Sequence, residues 1–127
     1  MSAKVYKPQD FSKVRGLAGI SNDQIEEHLK LYEGYVKRTN ALTEKLEGLA
    51  GEGKASGADP VYAEVTRRLG FEYDGVINHE YYFGNLTAGA QAEPSSGSRL
   101  ARAVEASFGS LSTWLADFRA IATMPGV

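Results

Sequence analysis

The apolar residues recur with the period of an α-helix over two long segments and two shorter ones. The first long segment follows a capping box, in which Ser21 is the N-cap and Gln24 stands three residues on. This segment predicts one long helix that ends between Gly48 and Gly53. Its stripe of core positions comprises Ile25, His28, Leu29, Tyr32, Tyr35 or Val36, Thr39, Leu42, Leu46 and Leu49.

The second long segment begins at Asp59 and Pro60, which suit the N-cap and the first helical position. A helix is predicted over residues 60–86, with Gly70 and Gly75 as places where it could kink. Its apolar positions are Tyr62, Val65, Leu69, Val76, His79, Tyr82, Phe83 and Leu86. Since a flexible loop at 50–58 separates the two helices, we predict an antiparallel hairpin.

The remainder of the chain predicts shorter elements. Residues 1–20 show no period and are predicted to form an irregular arm, and residues 87–98 form a loop. A third helix runs over 100–108 and is broken at Gly109 and Ser110, and a fourth follows from Leu111 to Ile121. No segment alternates as a strand does. The prediction is an all-α fold, a single helical domain over 1–127, with the long-helix hairpin followed by two shorter helices.

Composition narrows the classes of protein. The chain has 127 residues, 43% hydrophobic and 24% charged, as in a soluble globular protein. Its formal net charge of -2 gives no support to a nucleic-acid or membrane partner. The N-terminal residues lack the apolar region of a signal peptide, so cytoplasm is the default expectation. Because the chain has no cysteine, disulfides, thiolate metal sites and cysteine nucleophiles are excluded.

His28 and His79 are the only histidines, and both fall on apolar helix faces. A single histidine in such a position is more often a core residue than a ligand. Two on facing helices favour a metal, because metal sites in helical bundles are built from facing side chains. Redox metals usually take three or more protein ligands. If the chain binds such a metal, it holds half of the site and the remaining ligands come from elsewhere.

Other chemistries lack their motifs. The sequence has no P-loop, no Gly-x-Ser-x-Gly and no His-Glu-x-x-His. Ile25 and Val76 stand three residues before the histidines, where a di-iron bundle needs glutamate. The acidic residues of this region are scattered and are predicted to be solvated: Asp59, Glu64, Glu72, Asp74 and Glu80.

Four segments carry motifs whose order is informative. They read Ile-Ser-Asn-Asp-Gln-Ile-Glu-Glu-His at 20–28, Tyr-Val at 35–36 followed by Asn40, Asn-His-Glu-Tyr-Tyr-Phe at 78–83, and Ser-Phe-Gly-Ser-Leu at 107–111 followed by Phe118. In this order they resemble the N-terminal half of the iron/manganese superoxide dismutase family along nearly the whole chain. The third and fourth segments, at 78–83 and 107–111, carry most of the specificity.

The resemblance implies a function and a site. It implies that His28 and His79 bind one iron or manganese ion and that Tyr35 lies beside the substrate, superoxide. It also implies redox cycling of the metal between +3 and +2. Residues expected next to the ligands or at an interface are Tyr32, Asn78, Tyr82 and Phe83.

Three positions depart from the family pattern. His28 and Tyr35 are seven residues apart, whereas the family has eight, and one residue turns a helix by roughly 100°. Either the helix carries a bulge or kink, in this chain or in the usual members, or His28 is not at the ligand position; with no other histidine available, His28 is retained. Leu31 replaces a second family histidine, and Gly75 resembles the manganese type.

The resemblance does not extend to the family's C-terminal α/β domain, which supplies an aspartate and a third histidine. The chain is therefore a subunit of a two-chain dismutase, a fragment, or an interaction module that has lost the chemistry. We favour the first, in which a separate C-terminal-half chain shares the metal and the pairs form symmetric hetero-oligomers. Its partner would cover an exposed aromatic surface of Tyr81, Tyr82 and Phe83. The alternative is a non-catalytic helical interaction subunit with structural histidines.

Overall fold

The computed structural model describes residues 5–89 and 93–125, and within these ranges it contains helices and no strand. The helices are α1 (Asn22–Gly51), α2 (Pro60–Gly84), α3 (Arg99–Phe108) and α4 (Leu111–Ala122). This confirms the predicted all-α fold, with two long helices followed by two shorter ones. Residues 5–20 form no helix or strand, as predicted for the arm, while residues 1–4 of the predicted arm lie outside the described ranges.

The starts of the two long helices follow the capping residues of the sequence. Ser21 Oγ accepts a hydrogen bond from the Gln24 backbone N–H at 3.1 Å, and Gln24 Oε1 accepts one from the Ser21 N–H at 3.0 Å. Asp59 Oδ1 accepts from the N–H groups of Val61 and Tyr62, both at 2.8 Å. These bonds satisfy N–H groups that have no partner within the helix. The predicted capping box and the predicted N-cap are thus both confirmed.

The hairpin is antiparallel, because contacts pair rising residue numbers in α1 with falling ones in α2. His28 packs beside His79, the Tyr35 ring lies over Gly75, and Arg38 binds Glu72. Neither Gly70 nor Gly75 interrupts α2, which continues as an α-helix to Gly84, two residues short of the predicted end.

The core of the hairpin also takes in the irregular arm. Phe11 packs its ring 5.7 Å from that of Tyr32 and 5.2 Å from that of Phe83. The backbone of Tyr6 exchanges two hydrogen bonds with the Asn40 side chain, at 2.8 and 2.9 Å. The buried members of this core are Val14, Ile25, Tyr32, Val36, Val76 and Phe83. The arm therefore adds a third layer of contacts to a two-helix unit.

The chain divides into two compact units, and the described residues 93–125 belong to the second. There α3 and α4 are joined at Gly109, whose φ of 80° lies in the left-handed region that favours glycine. Ala101 and Val104 of α3 are buried. The organisation of 1–127 as a single domain stays a prediction. None of the described helices combines the length and the apolar character needed to cross a membrane.

Candidate metal centre

The two histidines meet across the hairpin. His28 in α1 and His79 in α2 have ring centroids 4.8 Å apart, with the ring planes at 75°. Both side chains are partly buried. The positions are 51 residues apart in sequence (79 − 28), so the antiparallel pairing of the helices is what brings them together. Two imidazoles at this separation can contribute to one metal site.

A backbone contact decides which nitrogen of the His79 ring carries a hydrogen. His79 Nδ1 lies 2.6 Å from the carbonyl oxygen of Gly75, one turn earlier in α2. Because a carbonyl oxygen only accepts hydrogen bonds, Nδ1 must carry the proton and donate it. In the neutral ring the lone pair is then on Nε2. Histidine ligands usually have their second nitrogen held in this way.

His28 is set in an aromatic environment. Its ring centroid is 4.9 Å from that of Tyr82 and 4.9 Å from that of Phe83. Burial, and then the charge of the neighbouring His79, lower the pKa of His28 below its ordinary value of 6.5. The neutral ring is therefore favoured, and neutral imidazole is the form that binds metals.

Tyr35 lies beside His79, with ring centroids 5.1 Å apart. It reaches this position because Gly75 has no side chain: a Cβ there would lie 2.3 Å from Tyr35 Cδ1. The helix α1 runs unbroken from Asn22 to Gly51. Seven residues of α-helix turn roughly 700°, close to two full turns, so His28 and Tyr35 share one face without a bulge. The ligand role of His28 itself stays a prediction.

Tyr32 is fully buried beside His79, and its hydroxyl belongs to a network that the sequence did not reveal. The hydroxyl donates to Glu80 Oε1 at 2.9 Å and accepts from the Gln9 backbone N–H at 2.9 Å. The Gln9 side chain donates to Glu80 Oε2 at 2.8 Å. Burial raises the pKa of Tyr32, and the Glu80 carboxylate adds to the rise. Since Gln9 and Glu80 are far apart in sequence, no local pattern could have linked them.

The remaining predicted residues divide between the surface and the core. Asn78 is exposed, and Tyr82 is exposed at 41% while packing on His28. Tyr81 is exposed at 70%. The prediction that Phe83 lies on the same exposed surface is wrong, because Phe83 is only 1% exposed and packs against the arm. Of the two exposed tyrosines, Tyr82 therefore packs on His28, whereas Tyr81 lies with Gln9, Ile77 and Glu80.

Glu72 is a correction to the sequence analysis, which predicted a solvated carboxylate. It is fully buried in α2 and takes Arg38 Nε at 2.6 Å and Arg68 Nη2 at 2.7 Å. Burial alone would raise the pKa of Glu72, but the hydrogen bonds from the two arginines outweigh it and hold the pKa below its ordinary value. A signal was present: Glu72 stands seven residues after Val65 and four before Val76, on the buried face.

The donor set fits part of a metal centre. Two neutral imidazoles suit iron and other transition metals. Across the part of the chain that the structure describes, no group of three or more His, Cys, Asp or Glu side chains is placed to hold an ion. A complete site would need further ligands besides His28 and His79.

Several curated proteins are similar in sequence to this chain along most of its length, although no protein-family model matches it. The iron superoxide dismutase of Aquifex pyrophilus is 38% identical over 125 residues, which is 96% of this chain. That of Aquifex aeolicus is 37% identical over the same length. A manganese superoxide dismutase of Mycobacterium celatum is 32% identical over 96 residues. Over these residues the chain is homologous to proteins named iron or manganese superoxide dismutase.

The chain spans only part of the length of the dismutases that it matches. The chain spans 58% of the length of the two Aquifex enzymes and 65% of that of the Mycobacterium celatum enzyme. This partial coverage is consistent with an N-terminal half of a dismutase, as the motifs indicated. The helical structure, with its two facing histidines, agrees with the same interpretation.

Proposed function

We propose that this chain provides half of the metal centre of an iron- or manganese-dependent superoxide dismutase, and that a second polypeptide provides the other half. The observation that carries the proposal is the pair of imidazoles, 4.8 Å apart on facing helices. Homology to dismutases along 96% of the chain supports the reaction class. The Aquifex relatives are named for iron and the Mycobacterium celatum relative for manganese, so either metal is proposed.

The roles follow from the contacts. His28 and His79 would bind the metal as neutral rings, with His79 oriented by the Gly75 carbonyl. When bound, iron or manganese supplies one-electron chemistry, by which one superoxide is oxidised to oxygen and another is reduced to peroxide. Tyr35, beside His79, would order water and help to deliver protons to the product. Tyr32 of α1 would keep α2 in position next to His79, through the hydrogen bond from its hydroxyl to Glu80.

The proposed partner is a C-terminal-half chain with an α/β fold that contributes an aspartate and a histidine. The exposed surface of Tyr81 and Tyr82 supports such an interface, since large exposed apolar patches on soluble proteins mark interaction sites. A metal held by ligands from both chains would strengthen the complex, because binding the metal also joins the chains. Symmetric pairing of two such complexes is part of the proposal.

Co-expression with a candidate α/β half tests the proposal. We expect a stable complex with about one iron or manganese ion per pair and with superoxide-removing activity. His28→Gln and His79→Gln should each abolish metal binding and leave the circular dichroism of the helices unchanged. Lys30→Gln, a change at an exposed residue of α1, is the matched control and should retain both metal and activity. If His28→Gln keeps its metal while His79→Gln loses it, His28 is a core residue.

The isolated chain provides the complementary test. With two imidazoles, it should bind iron or manganese weakly and remove superoxide slowly. Metal analysis after gel filtration and a superoxide assay measure both quantities. Tight stoichiometric metal together with full activity in the lone chain would refute the two-chain proposal.

A non-catalytic helical interaction subunit is the second candidate. It is favoured by the finding that the described residues bring no third ligand to the two histidines. Its histidines would then be core residues, and the complex with the partner would form equally well with and without metal. Metal content of the assembled complex separates this candidate from the dismutase.

A further inference from the structure

A guanidinium group is held beside Tyr35 by a buried carboxylate. Arg38 Nε donates to the buried Glu72 carboxylate at 2.6 Å, and Arg38 Cζ lies 4.9 Å from the centre of the Tyr35 ring. The lack of a side chain at Gly34 leaves room for the group, since a Cβ there would be 3.0 Å from Arg38 Nη1. The carboxylate and the aromatic face both contact the guanidinium, so they favour one orientation of the side chain.

The fixed group keeps hydrogen-bonding capacity. Arg38 presents five N–H donors, and among the described residues only Nε is bonded. The side chain is 50% exposed, whereas that of Glu72 is 1% exposed. The Nη groups are therefore open to a solute.

The charges around Glu72 do not cancel. Arg38 and Arg68 each bind one oxygen of the carboxylate, at 2.6 and 2.7 Å. The two guanidinium groups and the one carboxylate have a net charge of +1. This charge lies next to Tyr35, whose ring in turn packs on His79. A net charge of +1 is neutralised by one monovalent anion, to which the free N–H groups can donate hydrogen bonds.

We propose that Arg38, anchored by Glu72, forms a binding site for a small monovalent anion beside Tyr35, and that it draws superoxide towards the histidines. The identity of the anion as superoxide rests on the proposed function, whereas the site itself does not. Charged groups near a site raise the local concentration and the association rate of oppositely charged solutes. Arg38 would act on superoxide before the reaction and would take no part in the electron transfer.

Azide, a small monovalent anion, probes the site in the metal-free chain. With the sodium concentration held constant by gluconate, azide should shift the Arg38 Nε–H resonance and the Tyr35 ring resonances in a saturable manner. Arg38→Gln should weaken the effect on Tyr35 at least about fivefold, since a hydrogen bond to a charged group is lost. Arg67→Gln is the matched control, because Arg67 pairs with a glutamate on the exposed surface of α2, and it should change nothing.

Two results would overturn the site. One is the absence of a saturable shift, which would leave the arginines as a structural ion pair only; the other is an equal shift in Arg38→Gln. If Arg38→Gln loses helical circular dichroism because the buried Glu72 keeps only one of its two arginine partners, the double variant Arg38→Gln/Glu72→Gln takes its place. That variant removes the buried charge together with the cation.

The assembled complex tests the role towards superoxide. Arg38→Gln should lower kcat/KM roughly three- to tenfold at low ionic strength, and the difference should shrink as salt screens the charge. Equal kcat/KM in both proteins at low salt would exclude the guiding role while the azide result still decides the site. A complex without any dismutase activity would instead refute the proposed function, so the two failures are distinguishable.

Discussion

The hairpin and the α3–α4 pair show the same helical periodicity in sequence but differ in what covers their apolar faces. Phe83 in α2 is 1% exposed, whereas Phe118 in α4 is 56% exposed. No residue of α4 is buried within the described part of the chain. The period of the apolar residues therefore predicts a helix equally well in both regions, and it does not tell which surface is covered. On the proposed function, a partner chain would cover part of what remains exposed.

The largest expected difference between the regions is in their phenylalanines. Phe83→Ala should lower the free energy of unfolding by about 3–5 kcal/mol, because it opens a cavity among Phe11, Tyr32 and His28. Phe118→Ala should lower it by less than about 1 kcal/mol, since that ring is largely in water. Urea denaturation followed by circular dichroism measures both. The fluorescence of Trp114, the only tryptophan, reports on α4 separately.

Equal losses from the two substitutions would contradict the comparison. They would mean that the face of α4 with Phe118 is covered in the free chain in solution. A concentration-dependent unfolding midpoint in the unsubstituted protein would then identify self-association as the cover.

The next prediction compares a packed with an open face of α2. Gly75→Ala should destabilise the hairpin by about 1–3 kcal/mol, because the added Cβ would lie 2.3 Å from the Tyr35 ring. Gly70→Ala meets no atom within 4 Å and should stabilise the helix by about 0.5–1 kcal/mol. In thermal denaturation, the melting temperature should fall in Gly75→Ala and rise in Gly70→Ala. A stabilising Gly75→Ala would show that the Tyr35 ring does not occupy the face beside His79.

A third prediction concerns acid and the buried carboxylate of the hairpin. The pKa of Glu72 is held below 4.5 in the folded chain, so its ionised form stabilises the fold above that pH. This contribution is lost as the pH falls through the lowered pKa. Stability measured by urea denaturation from about pH 6 to about pH 3 should therefore fall less steeply in Glu72→Gln than in the unsubstituted chain. Identical slopes would place Glu72 in water.

Local patterns in the sequence predicted the helices well, and they placed the two histidines on facing helices. The Ser21 box and the Asp59-Pro60 pair act over a few residues, so they could be located without a structure. The convergence of His28 and His79 followed from the antiparallel hairpin alone. The helices and their starts depend on periodicity and capping, and both are determined by residues close together in the sequence.

Contacts between distant residues could not be predicted in the same way. The bonds from Gln9 and Tyr32 to Glu80 depend on how the irregular arm folds back. The burial of Glu72 was missed because a charged residue was taken to be solvated, although it stands on the buried face and has two arginine partners. Charge alone predicts exposure only when no partner is available.

The smallest expected effect concerns the protonation of His28. Burial and the nearby His79 lower its pKa below 6.5, so the folded chain favours the neutral ring more strongly than the unfolded chain does. Between the ordinary value and the lowered one, the unfolded chain binds more protons, and stability declines as the pH falls through that interval. Urea denaturation from about pH 7.5 down to about pH 5 should show this decline in the unsubstituted hairpin and a smaller one in His28→Gln. If both proteins lose stability equally, His28 is solvated, and the facing pair of imidazoles on which the metal proposal rests is not present in solution.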